Sequence, residues 1–176
     1  MHDLVEFKPK LDLQDARYWA QRFQQDALEV EIEQEVAPRI RKQGYLAKAD
    51  FLLLARWKSP RSQKRCVANS EDYVREVTRV ALSTSSEQLR IEVLTLLDGV
   101  GWPTASAILH FSHREPYPIL DFRALWTLGY DEVPPYTYKF WLGYTTYTRT
   151  AAERYGLTMR ELDKALWQFS KERQTP

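Results

Sequence analysis

The sequence predicts an all-α fold, and three observations carry that prediction. Apolar residues recur at intervals of three and four rather than two, so each periodic segment lays its apolar side chains on one helix face. Capping residues stand where those segments begin, and glycine or proline stands where they stop. No segment shows the strict alternation that a half-buried strand requires.

The elements follow in order. Leu13 to Leu28 forms a first helix with Ala16, Trp19, Ala20 and Phe23 on one face. A second helix runs through an acidic block (Glu29, Glu31, Glu33, Glu35) to about Lys42 and ends at Gly44, kinked or split by Pro38. Lys48 to Trp57 is short and apolar. The Lys-Ser-Pro-Arg-Ser-Gln-Lys-Arg stretch after it reads as a basic loop, because Pro60 disfavours helix at Ser59. Asn69 or Ser70 caps a helix to about Leu82, and Ser85 with Gln88 makes a capping box for a helix that ends at Gly99. The next helix starts at Pro103, where proline suits the first turn, and ends near His113. Phe122 to Leu128 forms a helix stopped by Gly129; Pro134 and Pro135 mark a loop. Thr137 to Tyr155 is a long aromatic-rich helix closed by Gly156, and Thr158 with Glu161 boxes the start of a last helix carrying Leu162, Ala165, Leu166 and Phe169.

Length and composition bound the function. The 176 residues suffice for one core, or for two small lobes sharing a cleft, but not for two independent domains. Apolar residues at 44% describe an ordered globular protein rather than a linker. The chain shows no apolar run of about eighteen residues and no signal-peptide pattern at its start, so it is expected to have no membrane partner and to lie in the cytoplasm. One cysteine, Cys66, excludes an internal disulfide, a four-cysteine iron–sulfur cluster and a cysteine zinc site. His2, His110 and His113 are too few to suggest a histidine metal centre.

The net charge of +1 conceals a strong asymmetry. Between residues 39 and 65 stand Arg39, Arg41, Lys42, Lys48, Arg56, Lys58, Arg61, Lys64 and Arg65, with Asp50 alone against them. Such a stretch attracts a phosphate backbone, or is simply a solvated face with a basic loop. Within it, Trp57, Lys58 and Arg61 form a basic–aromatic cluster.

The most informative segment is Leu-Asp-Gly-Val-Gly-Trp-Pro-Thr-Ala-Ser-Ala-Ile-Leu, residues 97–109, followed by Asp121 twenty positions after Gly101. Glycines in a turn between two helices let backbone N–H groups approach a phosphate without Cβ obstruction, and the second helix directs its positive dipole end there. Residues 97–109 resemble the hairpin of the helix-hairpin-helix DNA glycosylase superfamily, the endonuclease III-like group, and Asp121 falls at that family's spacing for its catalytic aspartate. The likeness covers residues 87 to 128. It implies a two-lobed helical fold with lobes at roughly 30–115 and 1–29 plus 116–176, acting as a monomer on double-stranded DNA in base-excision repair. It further implies that Gly99, Val100, Gly101 and Thr104 hold a DNA phosphate, with no resident cofactor beyond a monovalent cation at the hairpin carbonyls when DNA is bound. Asp121 would stabilise the cationic sugar and orient water as a damaged or mismatched base leaves its flipped-out position.

Departures from the family pattern narrow the expected chemistry. The lysine that bifunctional members carry before the hairpin threonine is Pro103 here, so only monofunctional hydrolysis is expected. The cluster cysteines are absent, and the position two residues after the aspartate is Arg123, which would pair with Asp121 or meet a phosphate. A quieter reading stands beside each residue. Asp121 is also a good helix cap. Trp102 can wedge into DNA or pack internally, and Tyr138, Trp141, Tyr144 and Tyr147 read as core more readily than as a base-stacking pocket. The same scaffold also suits a non-catalytic DNA-binding or protein-interaction module.

Overall fold

The computed structural model describes residues 5–175, and among them every regular element is helical, with no strand. No helix among the described residues is long and apolar enough to cross a membrane. The chain divides into two compact units, one of Met1–Gln24 with Pro116–Pro176 and one of Gln25–Glu115. Met1 to Leu4, with His2 and most of the signal-peptide reading, lie outside the described residues, as does Pro176.

In the first unit, a 3-10 turn at Leu13–Asp15 leads into α1 (Ala16–Arg22). The helix expected to run on to Leu28 stops at Phe23, which is extended. Asp26 supplies the reason: its side chain accepts from the Glu29 amide at 2.8 Å and starts a new helix where the apolar period alone showed no break. After residue 116 come α9 (Phe122–Thr127), α10 (Tyr138–Tyr155) and α11 (Met159–Arg173). Thr137 caps α10, Gly156 closes it in the left-handed region at φ 63°, and Thr158 with Glu161 completes a capping box on α11. Trp141 and Tyr144 of the aromatic stripe are wholly buried with Tyr117, Leu125 and Leu166, while Tyr147 packs its ring 4.7 Å from that of Phe7. Each such aliphatic side chain contributes on the order of 1.5–3 kcal/mol by leaving water, which is what holds short helices in place.

The second unit contains α2 (Ala27–Glu31), a π-helical segment (Ile32–Val36) and α3 (Ala37–Gln43) as one continuous rod. Pro38 therefore neither splits nor sharply ends the helix. The widened turn just upstream, in which the Ala37 amide bonds to the Ile32 carbonyl, accommodates a residue that has no N–H to donate. Next come α4 (Lys48–Lys58), α5 (Gln63–Cys66), α6 (Glu71–Ser83), α7 (Glu87–Glu92) and α8 (Trp102–Ser112) around a core of Ile32, Ile40, Phe51, Leu54, Val74, Ile91 and Ile108. The expected basic loop is structured: Pro60–Ser62 makes a 3-10 turn that runs into α5. Ser70, not Asn69, caps α6 by accepting from the Tyr73 amide at 3.2 Å. The expected Ser85–Gln88 box also shifts by one residue, because Ser86 takes the Leu89 amide at 3.2 Å. Beyond α7 the chain tightens into a 3-10 segment, Val93–Leu96, and leaves it at Leu97.

Candidate nucleic-acid interface

The glycine turn at residues 97–101 joins the Val93–Leu96 segment to α8, and its two glycines have different duties. Gly99 has φ +84°, and a Cβ there would sit 2.6 Å from the Cys66 sulfur and 3.0 Å from both the Cys66 nitrogen and the Ser62 oxygen. Only glycine meets the conformation and the close approach together. Gly101 is exposed, has φ −99° and ψ −178°, and a Cβ there would meet nothing nearer than the Pro103 ring at 3.8 Å. Its side-chain position is open space in front of a helix end.

That helix end carries no side-chain cap. Gly101 is the N-cap, and its carbonyl receives the Ala105 amide at 2.9 Å, so helix geometry leaves the amides of Gly101, Trp102 and Thr104 without intrahelical acceptors. Pro103 contributes none. These three amides lie in the first turn of an eleven-residue helix, at its positive end, and the residue that opens it has no Cβ. Val100 differs from the expectation that its amide grips a phosphate: it donates to the Leu97 carbonyl at 3.1 Å, and its side chain is buried. Thr104 as a whole is 4% exposed, so Gly101 and Trp102 form the exposed part of this helix end. Trp102 is half-buried at the start of the helix.

Asn69 holds the turn in place, a role absent from the sequence reading. Its buried side chain donates from Nδ2 to the carbonyls of Cys66 (2.9 Å) and Asp98 (3.0 Å) and accepts the Asp98 amide at Oδ1 (2.9 Å). Residues 62–69 and 97–99 are therefore one assembly. Burial pushes the Cys66 thiol above its ordinary value, which marks a packing thiol rather than a nucleophile.

This assembly also brings basic side chains to the turn. Gly99 abuts Ser62 and Cys66, and the segment carrying those two residues leaves Arg61, Lys64 and Arg65 exposed. Of the other members of the basic stretch, Arg41, Lys42 and Arg56 are exposed on α3 and α4, and Arg39 and Lys48 are engaged elsewhere. Arg39 forks onto the buried Asp50 carboxylate (Nη2–Oδ1 2.6 Å, Nε–Oδ2 3.3 Å), and Lys48 donates to the Val67 carbonyl at 2.8 Å. Trp57 packs edge to face on Phe111 at 5.2 Å, with the half-buried Lys58 at the end of α4.

Asp121 belongs to the first unit. It is half-buried and N-caps α9, accepting the Arg123 amide at 2.9 Å through Oδ1. The Arg123 guanidinium lies over two rings, 5.2 Å from Phe122 and 5.4 Å from Trp167. Burial and the Asp121 charge push the Tyr136 phenol up to about 12, and burial pushes the wholly buried Tyr144 phenol well above its ordinary value. Tyr136 is thus a neutral donor in the neighbourhood of the carboxylate, which no local pattern announced. His113 caps α8, takes the Glu115 amide at 2.9 Å through Nδ1 and meets Arg90 Nη1 at 2.7 Å through Nε2. Among the described residues no group of three or more potential metal ligands occurs. No family model, curated protein or solved structure matches the chain.

Proposed function

We propose that the chain binds double-stranded DNA by its phosphate backbone, with residues 98–104 acting as the hairpin of a helix-hairpin-helix scaffold and Arg61, Lys64 and Arg65 as its electrostatic surround. The observation that carries this reading is the uncapped start of α8 behind an exposed Gly101, with the exposed Arg61, Lys64 and Arg65 on the segment that abuts Gly99. An anion at a helix start receives both amide hydrogen bonds and the favourable end of the dipole. Because each neutralised phosphate releases counterions, binding to a duplex must weaken with salt at a slope of about −0.9 per contact. Replacing Arg61, Lys64 and Arg65 by Gln should flatten that slope by up to about three such steps, and a salt-independent response in the unaltered protein would refute the proposal.

A second reading adds catalysis, and the half-buried Asp121 beside neutral phenols favours it. A carboxylate there would stabilise positive charge growing on a sugar whose base is departing, more strongly where little water screens it. Release of a damaged or mismatched base from lesion-bearing duplexes, lost in Asp121→Asn, is the expected result; intact bases across a lesion panel would leave a non-catalytic binding module.

A further inference from the structure

The first unit holds a second cationic surface, built differently from the glycine turn. Phe23, the extended residue closing α1, meets Trp167 of α11 edge to face at 5.3 Å. Arg123 lies over Trp167 and over Phe122, and Lys171 lies 5.2 Å from the Trp167 centroid. Lys164 and Arg160 each stand 5.8 Å from the Phe23 ring. Phe122 is 53% exposed, and Phe23 and Trp167 are half-buried. The result is a strip of three rings, Phe122, Trp167 and Phe23, with Arg123 shared by the first two and Lys171, Lys164 and Arg160 beside the others.

The sign of the strip is positive. Asp163 is held by Arg160 at 2.7 Å, and Glu172 is forked by Arg22 at 2.9 Å through both oxygens. Glu161 is tied into the capping box at the far end of α11. Asp121 caps α9 and stays anionic beside Phe122, as does Glu161 in its box; against these two stand Arg123, Lys164 and Lys171, so the strip keeps a small positive excess.

Three classes of polyanion compete for such a surface, and the rings choose among them. An acidic peptide would satisfy the cations but brings no flat group to lie against the exposed Phe122 ring. A duplex would satisfy the cations too, but its bases are stacked on one another and hidden. An unpaired strand offers both flat base faces and phosphates, which suits rings with cations beside them.

We propose that this strip binds single-stranded nucleic acid, with bases stacking on Phe122 and Trp167 and phosphates meeting Arg123, Lys164 and Lys171. It rests on the first unit alone and stands whether or not the glycine turn holds a duplex. The test is fluorescence anisotropy of a labelled oligothymidylate of about twelve nucleotides, a length suited to one such site. Phe122→Ala, at an exposed position, should weaken binding about tenfold through lost stacking. Arg123→Gln with Lys171→Gln should reduce the salt slope by about 0.7 for each phosphate released. Leu89→Ala, at an exposed apolar position of the second unit, should leave binding unchanged. The proposal is overturned if Phe122→Ala binds as the unaltered protein does, or if Leu89→Ala weakens binding to the same extent. It is equally overturned if polyglutamate or a matched duplex displaces the strand as well as unlabelled oligothymidylate does.

Discussion

The two glycines of the turn make opposite predictions for the same substitution, which separates folding from binding. In Gly99→Ala the new Cβ must sit at φ +84°, where an L-residue costs on the order of 1–2 kcal/mol. It must also be pushed away from the Cys66 sulfur at 2.6 Å and from backbone atoms of Cys66 and Ser62 at 3.0 Å, a crowding that typically costs 1–3 kcal/mol. Together these give about 3 kcal/mol, and for a chain of this size a fall in Tm of roughly 6–12 °C. In Gly101→Ala the backbone is already in a region open to alanine, and the Cβ meets only the Pro103 ring at 3.8 Å. Loss of a glycine's freedom in the unfolded chain, about 0.4–1 kcal/mol, offsets alanine's poorer capping, so stability should stay within about 0.5 kcal/mol. With the turn gripping a duplex as proposed, affinity should nevertheless drop, because the added methyl would stand where a phosphate approaches. Thermal unfolding followed by circular dichroism and duplex titration by anisotropy at one fixed salt concentration measure the two effects. Unchanged duplex binding by Gly101→Ala would refute the close-approach argument, and an unchanged Tm in Gly99→Ala would refute the packing argument.

Three further predictions concern the second unit. Asn69→Ala removes three hydrogen bonds and leaves the amide and carbonyl of Asp98 to find other partners, so urea unfolding should show a loss of about 2–4 kcal/mol. Arg39→Ala strands the buried Asp50 carboxylate and should cost about 2 kcal/mol, less than for a fully buried pair because Arg39 is half exposed, while leaving the salt slope of DNA binding intact; Arg65→Gln should do the reverse. Burial, and then the neighbouring Arg90 charge, hold the His113 imidazole below its ordinary value of 6.5, so the folded state prefers it neutral. Its contribution is therefore fully present above about pH 6.5 and is lost as pH falls through the lower folded value, and unfolding midpoints compared between about pH 7.5 and pH 5.5 should converge in His113→Gln.

Local chemistry announced much of this fold. Thr158 and Glu161 are three residues apart and need nothing else to start α11, and Gly156 ends α10 by its own freedom at positive φ. Where two residues competed for one role, the choice was made by partners distant in sequence. Asn69 and Ser70 are equally good caps on paper, but Asp98, twenty-nine positions away, recruits the Asn69 side chain and leaves Ser70 to the helix. The basic stretch was legible as composition and not as surface, since nothing in the run of charges says that Arg39 turns to Asp50 while Arg61 stays exposed. The glycine turn was legible as a turn, but Gly99 and Gly101 look identical until the Cys66 backbone is placed against one of them.

Asp121 poses the remaining question in a form that substitution can answer. Asparagine caps a helix about as well as aspartate, whereas alanine costs about 1 kcal/mol at an N-cap. A carboxylate that only caps α9 would thus make Asp121→Asn equal to the unaltered protein in stability and in every activity, with Asp121→Ala weaker in stability alone. A carboxylate that stabilises a developing cation would separate the two measurements: Asp121→Asn would keep the cap through Oδ1 and the Arg123 amide, keep duplex affinity, and lose base release to the same depth as Asp121→Ala. Tyr136 adds an internal check, because a phenol held near 12 stays protonated at every pH at which DNA duplexes are conveniently assayed. Tyr136→Phe should therefore change the rate of base release without changing the shape of its pH profile between about pH 5 and pH 9.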